Sequence, residues 1–564
     1  MSDSAAIRVT LNPDRSLLNA DFETYKLSLD PLPKYEIELR NESKVQRSKV
    51  AENDDFTLQF VSLQRLHNHL VSDPWVGNSV VYFVDASFRV NCCSETDMRK
   101  SCESDVLKCR AQLPKPHQIE KLRYHPTIAF PSPEFALVAC GTTYLWLFNT
   151  GKRTVDNSES GQWELLEEFD YADIVNDGFM LKDATYSKVM EKEFVSCLLV
   201  HVDLNAKKEL LAIPEFDSSA FVTLIDWIVV ARNSPEGAWE EISRRRLGGK
   251  HALLLAALET FDESSDALIL ASEGAEFRML FDTATGVIPV DKSNENGAVE
   301  EPEPLYEWNQ NADTVTVTMK LPDVVSKSEV NADGDGMWRE LIKKCKRGKE
   351  TVDPEVAAAV HERLAHLTSE TLVSEAEPGS GIGLNQMEEC DDLPLETSTL
   401  ARFVCEKDGG CHISHKASLS SHQWIFSTKL TPESLPVVCL RHDVDAIVWE
   451  FKENEPDCWN ASHIGTFDAF GYVFASKENR KYTVCPPDMS YVAICDSATH
   501  CYIYRKVNSY SELKNRKSGK HLPTVAKQFV LTLKHEEVLG AVAAVEGLFV
   551  MTDSALNYVA LTGC

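Results

Sequence analysis

YVAICDSATHCYIYR, Tyr491–Arg505, and GLFVMTDSALNYVAL, Gly547–Leu561, are the stretches whose reading decides the fold. Each sets one short apolar strand against another across a brief polar turn. GYVFAS, Gly471–Ser476, precedes the first of them and reads as a further strand of the same series. The three recur at roughly the length of a four-stranded meander, about 40–50 residues, which is the rhythm of a β-propeller blade.

Working outward, the meander extends from Ala401 through HQWIFSTKL, PVVCLRHDVDAIVWEF and KQFVLTL to Thr562. A second such region runs from about Phe56 to Thr285. VVYFVDASFRV, FALVACGTTYLWLFNTG, SCLLVHVDL, FVTLIDWIVV and DALILASEGAEFRMLFD are its apolar runs. Cys140-Gly-Thr-Thr and Ser272-Glu-Gly are expected to close hairpins. The first region suits four or five blades and the second three. The chain therefore reads as mainly β, one propeller of about seven blades with an interruption. Two separate β domains are the alternative. In order, the expected parts are an N-terminal, partly extended segment (1–55), the first part of the propeller (56–293), an acidic linker with an inserted β segment (294–345), a helix with a second acidic linker (346–400), and the second part of the propeller (401–564).

The interruption has its own signature. PLYEWNQNADTVTVTMKLPD, Pro304–Asp323, holds a strict alternation in which Val315, Val317, Met319 and Leu321 face one way and Thr314, Thr316, Thr318 and Lys320 the other. That period marks a strand buried on one side. Tyr306 and Trp308, two apart, share a face at its entry. Farther on, Asp353 can cap a helix with Pro354 in its first turn, and Val356, Val360, Leu364 and Leu367 repeat at helical spacing.

In pattern and spacing, Pro304–Asp323 resembles the first strands of a CS domain, the β-sandwich of NudC proteins and small co-chaperones. YKLSLDPLPKYEIEL (Tyr25–Leu39), AAAVHERLAHLTSETL (Ala357–Leu372), LRHDVDAIVWEF (Leu440–Phe451) and FDAFGYVFASKENRKYTVCPPDMSYVAIC (Phe467–Cys495) extend the resemblance to the NudC family along nearly the full length. One departure stands out. A small sandwich needs about seven strands over roughly 80–100 residues. Here MWRELI, Met337–Ile342, already resembles the tail beyond the last strand, and only Asp323–Gly336 lie between. That span cannot hold five or six strands of about five residues each, so the CS-like segment is expected to be truncated. The resemblance implies a co-chaperone or adaptor of the ninety-kilodalton heat-shock chaperone system. Its expected partners are propeller clients and possibly dynein-related complexes. Tyr306 and Trp308 are the residues it offers for partner binding. A propeller scaffold in a fixed assembly, without chaperone activity, is the alternative.

Composition narrows the classes. A net charge of −30 argues against phosphate-backbone binding, although KKCKRGK, Lys343–Lys349, is a local basic run. The start is polar, without the apolar core of a signal peptide. The longest apolar run, Phe221–Ala231, contains Asp226 and falls short of a membrane span. Sixteen cysteines, several inside apolar runs, suit a reduced compartment. Cytoplasm and nucleus are the expected locations.

No constellation supports catalysis, and no cofactor is expected. Cys405, Cys411, His412 and His415 have the wrong spacing for a zinc finger and read as surface residues of a hairpin tip. Cys92, Cys93, Cys102 and Cys109 read as thiols of a polar loop. Asn331–Gly336 matches the start of a calcium loop, but position twelve is Ile342. Gly379–Gly383 follows no strand and reads as linker. His442, Asp443 and Asp445 read as a structural turn, with Asp accepting backbone N–H groups.

Overall fold

The computed structural model describes residues 6–48, 58–287 and 398–561, apart from short internal segments, and three strands between 306 and 350. Met1–Ile288 with Glu388–Cys564 form one compact unit, and Pro289–Met387 a second.

The first unit is a seven-bladed propeller. Blade 1 comprises Val71–Ser72, Val80–Val84, Arg89–Ser94 and Lys108–Gln112, and blade 2 comprises Thr127–Ala129, Phe135–Ala139, Tyr144–Asn149 and Glu164–Asp170. Blade 3 is Met180–Val189, Lys192–Leu204, Phe221–Arg232 and Glu240–Gly249. Blade 4 takes Leu253–Leu258 and Ser265–Ser272 from one side of the insert, and Thr399–Glu406 and Cys411–Ser418 from the other. Blade 5 is Trp424–Thr428, Val437–His442, Asp445–Glu455 and Cys458–Phe467. Blade 6 is Arg480–Val484, Tyr491–Asp496, His500–Arg505 and Ala526–Thr532, and blade 7 begins with Val538–Ala544, Gly547–Thr552 and Ala555–Ala560.

The apolar runs are continuous rather than alternating because a middle strand has a neighbouring blade on each face. In Tyr491–Asp496 every residue is buried. Tyr491, Ala493 and Cys495 pack toward blade 7, while Val492 and Ile494 pack toward blade 5. Gly547–Thr552 divides in the same way, with Leu548 and Val550 against blade 6 and Phe549 and Met551 against blade 1. Outer strands are wetter: in Ala526–Thr532 only Ala526 and Phe529 are buried, while Lys527, Val530 and Thr532 are exposed.

Three strands of the N-terminal segment complete the ring from outside: β1 (Ile7–Val9), β2 (Tyr25–Leu27) and β3 (Lys34–Glu38). Strand β1 lies parallel to Cys411–Ser418 of blade 4, and β2 parallel to Ala526–Thr532 of blade 6. Strand β3 pairs antiparallel with Ala555–Ala560, from Lys34↔Val559 to Glu38↔Ala555, and becomes the fourth strand of blade 7. The two halves of the chain are thereby locked together, and the edge of Ala555–Ala560 is covered by β3.

Three expectations need correction. GYVFAS is helical: helix α3, Phe470–Ala475, follows helices α1 (Leu58–Arg65) and α2 (Glu95–Arg99). Phe470, Gly471, Phe474 and Ala475 are its buried residues. A short run with buried positions at helical spacing between two blades serves as a connector, and an apolar run alone does not separate the two states. Ser272-Glu-Gly closes no hairpin. Ser265–Ser272 pairs with Thr399–Glu406, whereas Arg278–Asp282 crosses to the outer edge of blade 3, against Arg245–Gly248. Cys92 and Cys93 sit in no polar loop; they are buried in a blade 1 strand, split between the faces toward blades 2 and 7.

In the second unit, Tyr306–Gln310 pairs antiparallel with Val315–Met319, aligning Trp308 with Val317, and parallel with Gly348–Glu350. The expected helix after Asp353 and the Asn331–Gly336 and Gly379–Gly383 segments lie outside the described residues, as do Cys102 and the side chains of Tyr306 and Trp308.

Candidate functional site

The first strand of every blade lies at one end of its sheet and has no partner on the inner side. Those strands surround a central channel of about 420 Å³, lined by six of the seven blades. Its walls are mostly small and β-branched residues, as expected where strands converge. Among the described residues, Lys182 is the one charged side chain of that lining. Among the described residues, no carboxylate lines the bore. The neighbouring Asp183 points away, accepting the Leu258 N–H at 2.9 Å and Lys429 Nζ at 3.0 Å. Lys182 is solvent-exposed within the bore.

One mouth of the channel holds three histidines. His67 and His69 lead into the first strand of blade 1, and His125 into that of blade 2. Their rings lie 4.6–5.1 Å apart, centroid to centroid. The Ser48 N–H donates to His125 Nδ1 at 3.0 Å, which fixes the acceptor nitrogen of that ring. Ser48 Oγ donates to Gln64 Oε1 at 2.8 Å, tying α1 to the same corner. Tyr482 Oη donates to the His67 and Leu539 carbonyls at 2.7 and 3.0 Å. Burial pushes His67 and His69 well below the ordinary imidazole range, and brings His125 down to about 4. All three are therefore neutral at physiological pH. Among the described residues, no group of three His, Cys, Asp or Glu is arranged to hold a metal ion.

The residues weighed as chemistry are placed otherwise. Cys405 and Cys411 face each other across paired strands of blade 4 and form a disulfide. Against the surface-tip expectation, Cys405 and His415 are buried; His412 is exposed. Ten described cysteines are free. That one pair is joined while the others stay free, which sequence distance alone does not reveal. His442, Asp443 and Asp445 do not converge: Asp443 has φ +55° in the turn, and His442 stacks on His422. Asp445 Oδ1 accepts the Ala469 N–H at 2.6 Å and so anchors the entry to α3.

Two features have no counterpart in the sequence reading. Asp226, buried in blade 3, accepts His201 Nε2 at 3.0 Å and Arg246 Nε at 2.7 Å. Burial opposes its charge, but these bonds prevail and hold it at about 2. Asp226 interrupting an apolar run was the available signal. On the rim, Val444 and Tyr472 are about half exposed and adjacent, with the Tyr472 N–H donating to the Val444 carbonyl at 3.0 Å. They form an apolar spot on the same face as the hairpin turns.

No family model matches the chain. It is 30% identical over 606 aligned positions to NudC domain-containing protein 1 of Mus musculus, covering 98% of each. It is also 30% identical over 624 positions to that of Xenopus laevis, again covering 98% of each. Among solved structures, Saccharomyces cerevisiae Sqt1 aligns with 87% of this chain and 94% of its own at 10% identity and TM-score 0.33. The Cps50 (Swd1) β-propeller domain of Myceliophteria thermophila aligns with 88% and 97% at 8% identity and TM-score 0.36.

Proposed function

The chain belongs to the NudC domain-containing protein 1 family, and from that premise we propose that it is a non-enzymatic, co-chaperone-like interaction protein. The observation that carries this reading is 30% identity in an alignment covering 98% of the chain, together with a closed propeller carrying a separate insert. A rigid ring with exposed hairpin turns offers a broad face for other proteins. The insert, Pro289–Met387, begins with the hairpin that resembles a CS domain entry. The proposed partners are the ninety-kilodalton heat-shock chaperone, propeller clients and dynein-related complexes. Tyr306 and Trp308 are the proposed contacts within the insert, and cytoplasm and nucleus the proposed locations.

Affinity purification with mass spectrometry tests the reading, using the full chain, a form with 289–387 replaced by a short Gly-Ser linker, and Tyr306→Ala with Trp308→Ala. Chaperone components with varied clients, weakened in both altered forms, support it. A single stoichiometric assembly retained by all three forms would replace it with the scaffold reading. Imaging of the tagged full chain checks location.

A further inference from the structure

At the other end of the first strands from the three histidines lies a second cavity, of about 340 Å³. Trp75 lines it from the turn after the first strand of blade 1, Phe135 from the second strand of blade 2, and Tyr186 from the first strand of blade 3. Glu134 joins them, and Glu433 arrives from a blade 5 loop. Lys429 ties that loop to blade 3 through its ion pair with Asp183 at 3.0 Å. The polar ends of the aromatic side chains are already committed: Trp75 Nε1 donates to the Phe130 carbonyl at 2.9 Å, and Tyr186 Oη to Glu193 Oε1 at 2.8 Å. Both rings are nonetheless only half-buried, and Tyr186 lies 5.3 Å from Phe135, centroid to centroid. The Glu134 backbone is held on both sides, its N–H donating to Ser132 Oγ at 3.2 Å and its carbonyl accepting the Thr150 N–H at 2.8 Å. The residue is exposed, and among the described residues no ion pair engages its carboxylate. Nor, among the described residues, does a basic side chain line the cavity.

We propose that this cavity receives an arginine side chain of a partner protein, between the Trp75 and Tyr186 rings and the Glu134 and Glu433 carboxylates. Charge and shape select the occupant. A guanidinium is drawn to the faces of indole and phenol rings, and its planar fork of N–H donors matches a carboxylate. Both kinds of group meet here, and their anchored positions lower the ordering that binding must supply. About 340 Å³ is room enough for such a side chain with its flanking peptide groups. The net charge of −30 draws basic partners toward the whole chain, but aromatic walls beside acids mark one place on it. The site rests on the propeller alone and stands independently of the co-chaperone reading.

Fluorescence anisotropy on the full chain tests it with the labelled peptide amide Ser-Gly-Arg-Gly-Ser, and with a twin carrying citrulline, which keeps the shape of arginine and loses its charge. Glu134→Gln with Glu433→Gln forms the site pair. Glu164→Gln with Glu240→Gln, both exposed and outside the cavity, removes the same two charges elsewhere on blades 2 and 3. Saturable binding of the arginine peptide supports the site when three conditions hold: the citrulline twin binds at least tenfold more weakly, the site pair weakens binding at least fivefold, and the control pair stays within twofold of wild type. Trp75→Leu should also weaken binding at least fivefold. The proposal is overturned if the arginine peptide does not bind, if the twin binds as well, if the control pair loses as much as the site pair, or if Trp75→Leu binds like wild type. Agmatine, a free guanidinium, displacing the label at lower concentration than unlabelled peptide would assign the cavity to a small cation and overturn the protein partner. Should Trp75→Leu not fold, the site pair against the control pair decides alone.

Discussion

Acidification from pH 7.5 to 5.5 should destabilise the propeller through His67, His69 and His125. In the folded chain all three are held neutral by burial, His125 with a pKa of about 4. The unfolded chain restores the ordinary value of about 6.5. A folded pKa below the unfolded one means that stability is present at neutral pH and lost as pH falls, from about 6.5 toward 4. At pH 5.5 an unfolded histidine is about 90% protonated, so unfolding should take up about 2.7 protons at these three sites. At roughly 1.4 kcal/mol per proton and pH unit, the slope is about 3.7 kcal/mol per unit. The charges facing the cluster do not cancel this: Arg47 and Lys481 are cationic, and Glu537 is committed to both, at 2.8 and 3.0 Å, while Lys182 adds further positive charge. Asp468, raised to about 6 by burial and Asp445, works in the opposite direction by at most one proton. Calorimetric unfolding at pH 5.5 in buffers of different ionisation enthalpy measures proton uptake directly. The comparison is wild type against a variant with all three histidines changed to Gln, which removes the titration while leaving Asp468 in place. Equal uptake in the two proteins would refute the reasoning.

Three further outcomes test the packing. Asp226→Ala leaves Arg246 and His201 buried without their carboxylate and should cost about 3–5 kcal/mol in urea unfolding; a loss below 1 kcal/mol would show that water satisfies them. Gly141→Ala should cost at least about 2 kcal/mol, since φ is +84° and the new Cβ would stand 2.0 Å from the Tyr124 carbonyl oxygen. Gly151→Ala, at φ +64° with nothing within 4 Å, should cost only about 1 kcal/mol, so equal effects on the urea midpoint would discard the steric part of the account. Removing residues 1–40 takes away β3 and exposes the fully buried strand Ala555–Ala560. Lower thermal stability and self-association by size-exclusion chromatography are expected, and an unchanged melting temperature in a monomer would contradict the closure.

How much was legible in the sequence can be followed element by element. Tyr491–Cys495 and Gly547–Met551 announced themselves because a middle strand sandwiched between blades must be apolar on both faces, and apolar runs between polar turns are a local property. The turn at Cys140-Gly was equally plain, since Gly141 takes the left-handed backbone that other residues resist. Gly471–Ser476 was misread for the same reason that the others were read correctly: a short apolar run is compatible with either state until its neighbours are known. Ser272-Glu-Gly has turn chemistry but no hairpin, because strand partners are chosen across the sheet.

The sequence by itself determined a β meander of blade-length units, its interruption near Pro304–Asp323 and the likeness of its blocks to the NudC family. Each of these is written in local periodicity or in residue order. Only the tertiary structure decided that Lys34–Glu38 closes blade 7 and that the insert opens inside blade 4. It alone brought His67, His69 and His125 to one mouth and joined Cys405 to Cys411. The physical reason is ring closure. A propeller places distant segments side by side, and the enclosure that shifts the histidine pKa values belongs to the assembled ring.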